Sequence, residues 1–96
     1  MARPALLTDP EVVTWLAAHP SWQRASNTIT RAFTFADFSA ALAFVVRVGL
    51  LAEKHEHHPD IALGWGKANV TWSTHEPKGL TSLDLTLAAA TDALIA

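Results

Sequence analysis

The stretch Glu53–Asp60 reads EKHEHHPD and carries three of the chain's five histidines, His55, His57 and His58. A fourth, His75, follows in the segment STHE. A neutral imidazole donates a proton from one ring nitrogen and accepts one at the other, with an unperturbed pKa near ~6.5. Such a set therefore suits acid/base chemistry at neutral pH. It also suits a transition metal, because His55 and His57 form an H-x-H pair and imidazole is the commonest ligand for zinc or iron. Against metal, no fixed signature such as H-E-x-x-H is present, and adjacent histidines in extended chain point to opposite sides. A third reading is the polar trim of a helix end. Lys54 and His55 favour the negative end of a helix dipole, which accounts for those two residues and leaves His75 unexplained. His19, before Pro20, reads as a helix end of its own. Ser73 and Thr74 lack the strand–turn–helix elbow of a nucleophile, and no glycine-rich phosphate loop occurs. Cysteine is absent, which excludes disulfides, thiolate nucleophiles and cysteine-bound zinc.

The elements that must position these residues follow from local patterns. Thr8 and Glu11 form a capping box, Leu7 can staple onto Val12, and Pro20 closes a first helix buried through Val12, Trp15 and Leu16. Ser26-Asn27 is a turn between two strands, with Trp22 on the first and Ile29, Arg31, Phe33 and Phe35 alternating on the second. The run DFSAALAFVVRVGLLAEKH is the main helix, ended by Pro59. Phe38, Ala41, Leu42, Val45, Gly49 and Ala52 follow helical spacing on one side. Phe44, Val48 and Leu51 are apolar as well, so the helix needs cover on a second side and predicts self-association. Ile61, Leu63 and Trp65 alternate on a third strand, Gly66-Lys67 turns, and Val70 and Trp72 share one face of a fourth. Thr81 and Asp84 have capping-box spacing at the start of a last helix, whose stripe is Leu83, Leu87, Ala90 and Leu94.

This order, α-β-β-α-β-β-α, predicts an α+β fold: a four-stranded antiparallel sheet with helices packed on one face. The out-and-back path of the second hairpin brings His75 toward Pro59 and the histidines before it. Length predicts one domain, residues 1–96. The net charge of −2 offers no basic surface for nucleic acid, and no apolar run approaches the roughly 18 residues of a membrane span. The opening MARPALLTDPE meets acidic residues too early for the apolar core of a signal peptide, so a cytoplasmic protein is expected.

AEKHEHHP, then STHE, then GLTSLDLTLA resembles the pterin-4a-carbinolamine dehydratase family, whose hallmark is E-K-x-x-H-H-P followed by S-x-H and G-L-[ST]-x-x-D. Glu53, Lys54, His57, His58, Pro59, His75, Gly79, Leu80 and Asp84 match at unbroken spacing. Upstream, Trp22, Phe33, Phe35, Asp37, Phe38, Phe44, Arg47 and Val48 are similar too, so that the likeness covers about residues 20–95. The resemblance implies dehydration of 4a-hydroxytetrahydropterin to quinonoid dihydropterin, with no cofactor and no metal. It implies His57, His58 and His75 as the catalytic set, with His58 the preferred donor to the leaving hydroxyl. His57, His58, Pro59, Thr74, His75, Glu76 and Pro77 would cradle the pterin, with Trp22 nearby. Asp84 would orient a histidine or cap its helix, and Glu53 would be a second acid or a helix-end ion-pair partner. His55 falls at a variable position and should face solvent. The partners implied are the pterin and further copies of the chain, as dimer or tetramer. Animal members also serve as dimerisation cofactors of a homeodomain transcription factor, so a non-catalytic interaction module is the alternative, and a histidine-ligated metal hydrolase a lesser one. Ile61, Trp65 and Pro77 depart from the family's usual residues and bear on the shape of the pocket.

Overall fold

The computed structural model describes residues 5–95; the first four residues of the amino-terminal stretch read above, and residue 96, lie outside the described residues. Helix α1 (Asp9–Ala18) starts at the anticipated capping box. The Thr8 N–H donates to Glu11 Oε1 at 3.0 Å and the Glu11 N–H to Thr8 Oγ1 at 3.4 Å. Val12 is fully buried, with Trp15 and Leu16 packed beside it. The backbone N–H of Thr8, and then its hydroxyl, hold the Glu11 carboxyl below its ordinary range. A depressed carboxylate adds stability above the unfolded glutamate value, about 4.3, and loses it as the pH falls through the folded one. Wild type should therefore lose its advantage over Glu11→Gln as the pH falls below about 4.3, a window that thermal melts at stepped pH would read. A constant difference across that window would remove the box as a source of acid sensitivity.

Strands β1 (Gln23–Ala25) and β2 (Thr28–Thr34) close a hairpin through Ser26-Asn27, with Ser26 in the left-handed region at φ 55°. Trp22 precedes β1 rather than lying on it. In the second hairpin, β3 (Asp60–Gly64) pairs with β4 (Lys67–Trp72) so that Gly64 faces Lys67. The turn is thus Trp65-Gly66, one residue earlier than Gly66-Lys67. Gly66 allows it: φ is 68°, and a Cβ there would lie 3.1 Å from the Phe35 carbonyl oxygen. Trp65 consequently sits at the tip, 71% exposed, and does not join Ile61 and Leu63 on the packed face.

The sheet is antiparallel throughout in the order β1-β2-β4-β3. Ile29 and Phe33 of β2, with Ala68, Val70 and Trp72 of β4, present one buried face to the helices. The predicted α+β architecture is the observed one.

Helix α2 (Phe38–His55) is capped by the Asp37 carboxylate, which accepts the Ala40 N–H at 2.8 Å. Its buried face is Ala41, Phe44, Val48 and Ala52, whereas Phe38 and Leu42 are exposed. This differs from the expected stripe for a physical reason. A helix apolar nearly all round has no unique inner face in its sequence. Here the face is chosen by aromatic packing, with Phe44 4.6 Å from Phe33 and 5.0 Å from Phe35 between ring centroids.

Helix α3 (Ser82–Ala93) buries Asp84, Leu87, Ala88 and Thr91. Two of the four are polar, so hydrophobic spacing alone points to the neighbouring stripe. Each is satisfied by hydrogen bonds. The Trp72 indole donates to Thr91 Oγ1 at 3.1 Å, and that hydroxyl donates to the Leu87 carbonyl at 2.7 Å. Near the helix end, the Asp92 carboxylate accepts from the Trp22 indole at 3.0 Å and from Arg31 at 2.7 Å. The Arg31 guanidinium also lies 4.4 Å from the Phe33 ring centre. Asp92→Ala should cost about 1–3 kcal/mol, because it strands a buried indole N–H and a half-buried cation. A urea midpoint unchanged from wild type would show that water replaces the carboxylate.

Candidate active site

Helix α2 stops before Pro59 is reached. Glu56 takes the left-handed conformation at φ 49°, its N–H bonds to the Glu53 carbonyl, and the His57 N–H bonds to the Ala52 carbonyl at 3.2 Å. This paired closure is a Schellman motif with glutamate where glycine is usual. It, rather than the proline, ends the helix. The closure also divides the histidines. His55 is the last helical residue and is exposed, while His57 and His58 lie on the connector that leads through half-buried Pro59 into β3.

On the other side of the corner, β4 ends at Trp72 and the chain continues into a tight loop. Thr74 and Gly79 exchange backbone hydrogen bonds of 2.8 and 3.0 Å, closing residues 75–78 between them. Gly79 sits at φ 142°, where a side chain would be strained and a Cβ would come within 2.8 Å of Leu6 Cδ2. His75 and Glu76 are exposed on this loop, Pro77 is half-buried, and Thr74 is buried.

Asp84, fully buried in the first turn of α3, ties the two segments together. Its Oδ1 lies 2.6 Å from His57 Nε2. Its Oδ2 accepts the Thr74 hydroxyl at 2.8 Å and the Thr81 N–H at 2.9 Å. The His57 ring lies parallel to the Trp72 indole, with centroids 5.9 Å apart and planes 4° apart. His57 and Thr74 thus meet at one carboxylate, and their chain neighbours His58 and His75 are the exposed histidines beside them. His58 Nε2 lies 2.7 Å from Glu53 Oε1, with both side chains open to solvent. Asp84 serves as cap and histidine partner at once, so the two readings of it coexist.

Trp22 is not at this corner. Its ring is buried against Trp15 and Phe33, and its indole bonds to Asp92, about 12 Å along α3 from Asp84. Thr81 and Trp72 are components that spacing alone does not single out for the site. The only signal for Thr81 is its capping-box position, and Trp72 reads as ordinary core. Among the described residues, no group of three histidine, aspartate or glutamate side chains is arranged to hold a metal ion. Two sizeable hollows among the described residues lie elsewhere. One of about 470 Å³ runs between Leu7, Trp15 and Leu85, and one of about 570 Å³ between Phe35, Arg47 and Leu94. Neither contains a pair of groups able to exchange protons, so size is outweighed by chemistry, and the histidine corner is the better candidate.

The family profile described as pterin 4 alpha carbinolamine dehydratase matches residues 5–94. The chain belongs to this family. A relative from Aromatoleum aromaticum, provisionally named pterin-4-alpha-carbinolamine dehydratase, is 46% identical over 92% of this chain and 80% of its own. One of the same provisional name from Rhizorhabdus wittichii is 44% identical over 92% and 93%. Among solved structures, a Brucella melitensis protein described as a transcriptional coactivator/pterin dehydratase superposes with a TM-score of 0.88 at 37% identity, covering 93% of this chain and 97% of that one. A pterin dehydratase-like protein identified as a RuBisCO assembly factor in the alpha-carboxysome shares the fold at a TM-score of 0.64, with 24% identity over 76% of this chain and 84% of that one. Among the described residues no helix is long and apolar enough to cross a membrane.

Proposed function

We propose that the chain dehydrates a 4a-hydroxytetrahydropterin to the quinonoid dihydropterin and water. The observation that supports this reading is the meeting of the His57 and Thr74 segments at one buried carboxylate, each segment carrying a further histidine, His58 or His75, as its next residue. Hydroxide is a poor leaving group, so one acid must protonate the C4a oxygen while a base takes the proton from N5. The C4a–O bond breaks, the N5–H electron pair becomes the C4a=N5 double bond, and water departs. His58, next to the Glu53 carboxylate, is assigned as the donor to the leaving hydroxyl. His57 is assigned to N5, because a proton arriving on its ring gains a charge-assisted bond to Asp84. His75 completes the set from the Thr74–Gly79 loop, and the backbone of residues 57–59 and 74–77 cradles the ring. Proton transfer alone accounts for the reaction, and a chain without cysteine suits the reducing cytoplasm.

The test is the loss of the carbinolamine absorbance in a mixture where an aromatic hydroxylase generates it. Replacing His57, His58 or His75 by alanine should each slow the catalysed rate by about 10²-fold or more. A wild-type rate no faster than buffer would sink the dehydratase reading.

A second reading rests on Phe38, Leu42, Val46 and Leu50, which form an exposed apolar ridge at four-residue spacing along α2. Isolated apolar residues on a surface are ordinary, but a continuous ridge of large side chains is a contact surface. We assign it to a second copy of the chain, as dimer or tetramer. A Leu42→Glu/Leu50→Glu double variant should elute as monomer by light scattering with its helical signal intact. An unchanged mass, or a wild type that is itself monomeric, would reassign the ridge to a different protein, as an interaction module requires.

A further inference from the structure

We infer that the Thr74 hydroxyl, with the Thr81 hydroxyl and backbone N–H, is a positioning device that fixes the working tautomer of His57, leaving Nδ1 as its proton-accepting atom. The catalytic use of this tautomer rests on the dehydratase reading, whereas the tautomer itself stands on geometry.

Several donors converge on the one buried carboxylate of Asp84. The Thr81 N–H has a proton to give and nothing to accept, and it gives it to Asp84 Oδ2 at 2.9 Å. The Thr74 hydroxyl donates to the same oxygen at 2.8 Å. Thr81 Oγ1, 3.0 Å from Thr74 Oγ1 and 3.4 Å from Asp84 Oδ2, is free to give its own proton to Thr74. Two donors thereby fill Oδ2 and hold the carboxylate plane in place. Oδ1 then has His57 Nε2 as its partner, at 2.6 Å. An ionised carboxylate only accepts, so Nε2 must carry the hydrogen. In a neutral imidazole the proton-accepting nitrogen is then Nδ1.

The surroundings agree. Among the described residues every buried side-chain nitrogen and oxygen has a partner and none of them bonds to Nδ1, which fits a ring left 13% exposed. A flipped ring would give up the 2.6 Å bond to Asp84, while the parallel Trp72 indole and the backbone bond to Ala52 hold the ring plane and the chain beside it. Thr74 and Thr81 are themselves buried, at 6% and 0% exposure, so water does not compete for Asp84. The two hydroxyls touch no reacting atom in this scheme. They act through Asp84, and the chain of contacts runs from the loop bearing His75 to the connector bearing His57.

The experiment is ring-nitrogen NMR of ¹⁵N-histidine-labelled full-length protein at about pH 9, where an ordinary imidazole is neutral. Wild type should show His57 with its proton on Nε2. Thr74→Val, which keeps the volume and removes one of the donors that hold the carboxylate plane, should let Asp84 turn away from Nε2, shift the ring toward a mixture of tautomers and lower kcat about tenfold at little change in KM. Thr74→Ser should restore both. A wild-type His57 protonated at Nδ1 would overturn the inference without any variant. A Thr74→Val ring spectrum identical to wild type would remove the threonine from the device. If the tautomer behaves as stated but wild type turns over no pterin, the dehydratase reading fails and the positioning device survives.

Discussion

Replacing Asp84 by alanine is expected to remove both catalysis and a large part of the protein's stability. The variant loses a carboxylate that no water replaces, since the residue is fully buried. Thr74 can still bond to Thr81 Oγ1 at 3.0 Å, but the Thr81 N–H is left without its acceptor and His57 without its anchor. One orphaned buried donor, a lost helix cap and a released imidazole together should cost about 3–4 kcal/mol. Against a total of roughly 5–15 kcal/mol for a domain of this kind, the urea midpoint should fall steeply. Asp84→Asn separates the two roles. Its amide oxygen can still accept from Thr81 and Thr74, so the stability loss should be only about 1–2 kcal/mol. Its amide NH₂ then faces His57 Nε2 and forces that nitrogen to accept, which moves the ring proton to Nδ1. Turnover should fall about 10²-fold or more in a protein that remains folded. Wild-type turnover in Asp84→Asn would show that the carboxylate is a helix cap and nothing more.

Trp72→Ala should be the most destabilising single change in the sheet. Trp72 is the largest fully buried side chain, lies on the central strand β4, and spans from the His57 ring to the Thr91 hydroxyl. Truncation leaves a cavity that the backbone cannot readily close, since Trp72 is paired with Ile29 of β2 and the residue before it, Thr71, with Asp60 of β3. A loss of about 3–5 kcal/mol is expected, enough to unfold a sizeable fraction of the protein at physiological temperature. Trp72→Phe keeps an aromatic face beneath His57 and gives up the indole N–H, so it should cost less and retain turnover. If Trp72→Phe is as inactive as a His57 variant while still folded, the indole has a part in the chemistry beyond packing.

The sequence by itself determined the order of elements, and the reasons are local. The Thr8–Glu11 box, the Ser26-Asn27 turn and the alternation in β2 and β4 each depend on residues a few positions apart, which is the range over which pattern and propensity act. It also supplied His57, His58, His75 and Asp84, since their types and spacing carry the likeness to the family. Non-local packing was not legible. Nothing in an all-apolar helix says that Phe44 rather than Leu42 turns inward; the aromatic contacts with Phe33 and Phe35 decide it. Hydrophobic spacing likewise misplaces the buried stripe of α3, because Asp84 and Thr91 are buried through hydrogen bonds made by residues far away in the chain. The end of α2 at Glu56, ahead of Pro59, depends on a left-handed residue that glutamate seldom supplies.

For the site, the distinction is sharper. Sequence spacing assembles a list of histidines, but a tautomer is set by what each ring nitrogen faces. Only the tertiary structure places His57 Nε2 against a carboxylate whose other oxygen is occupied by Thr74 and Thr81. The hydrogen bonds that fix it join residues from the end of α2, the end of β4 and the start of α3. No local pattern encodes such a meeting, because it exists only once the sheet and helices have packed.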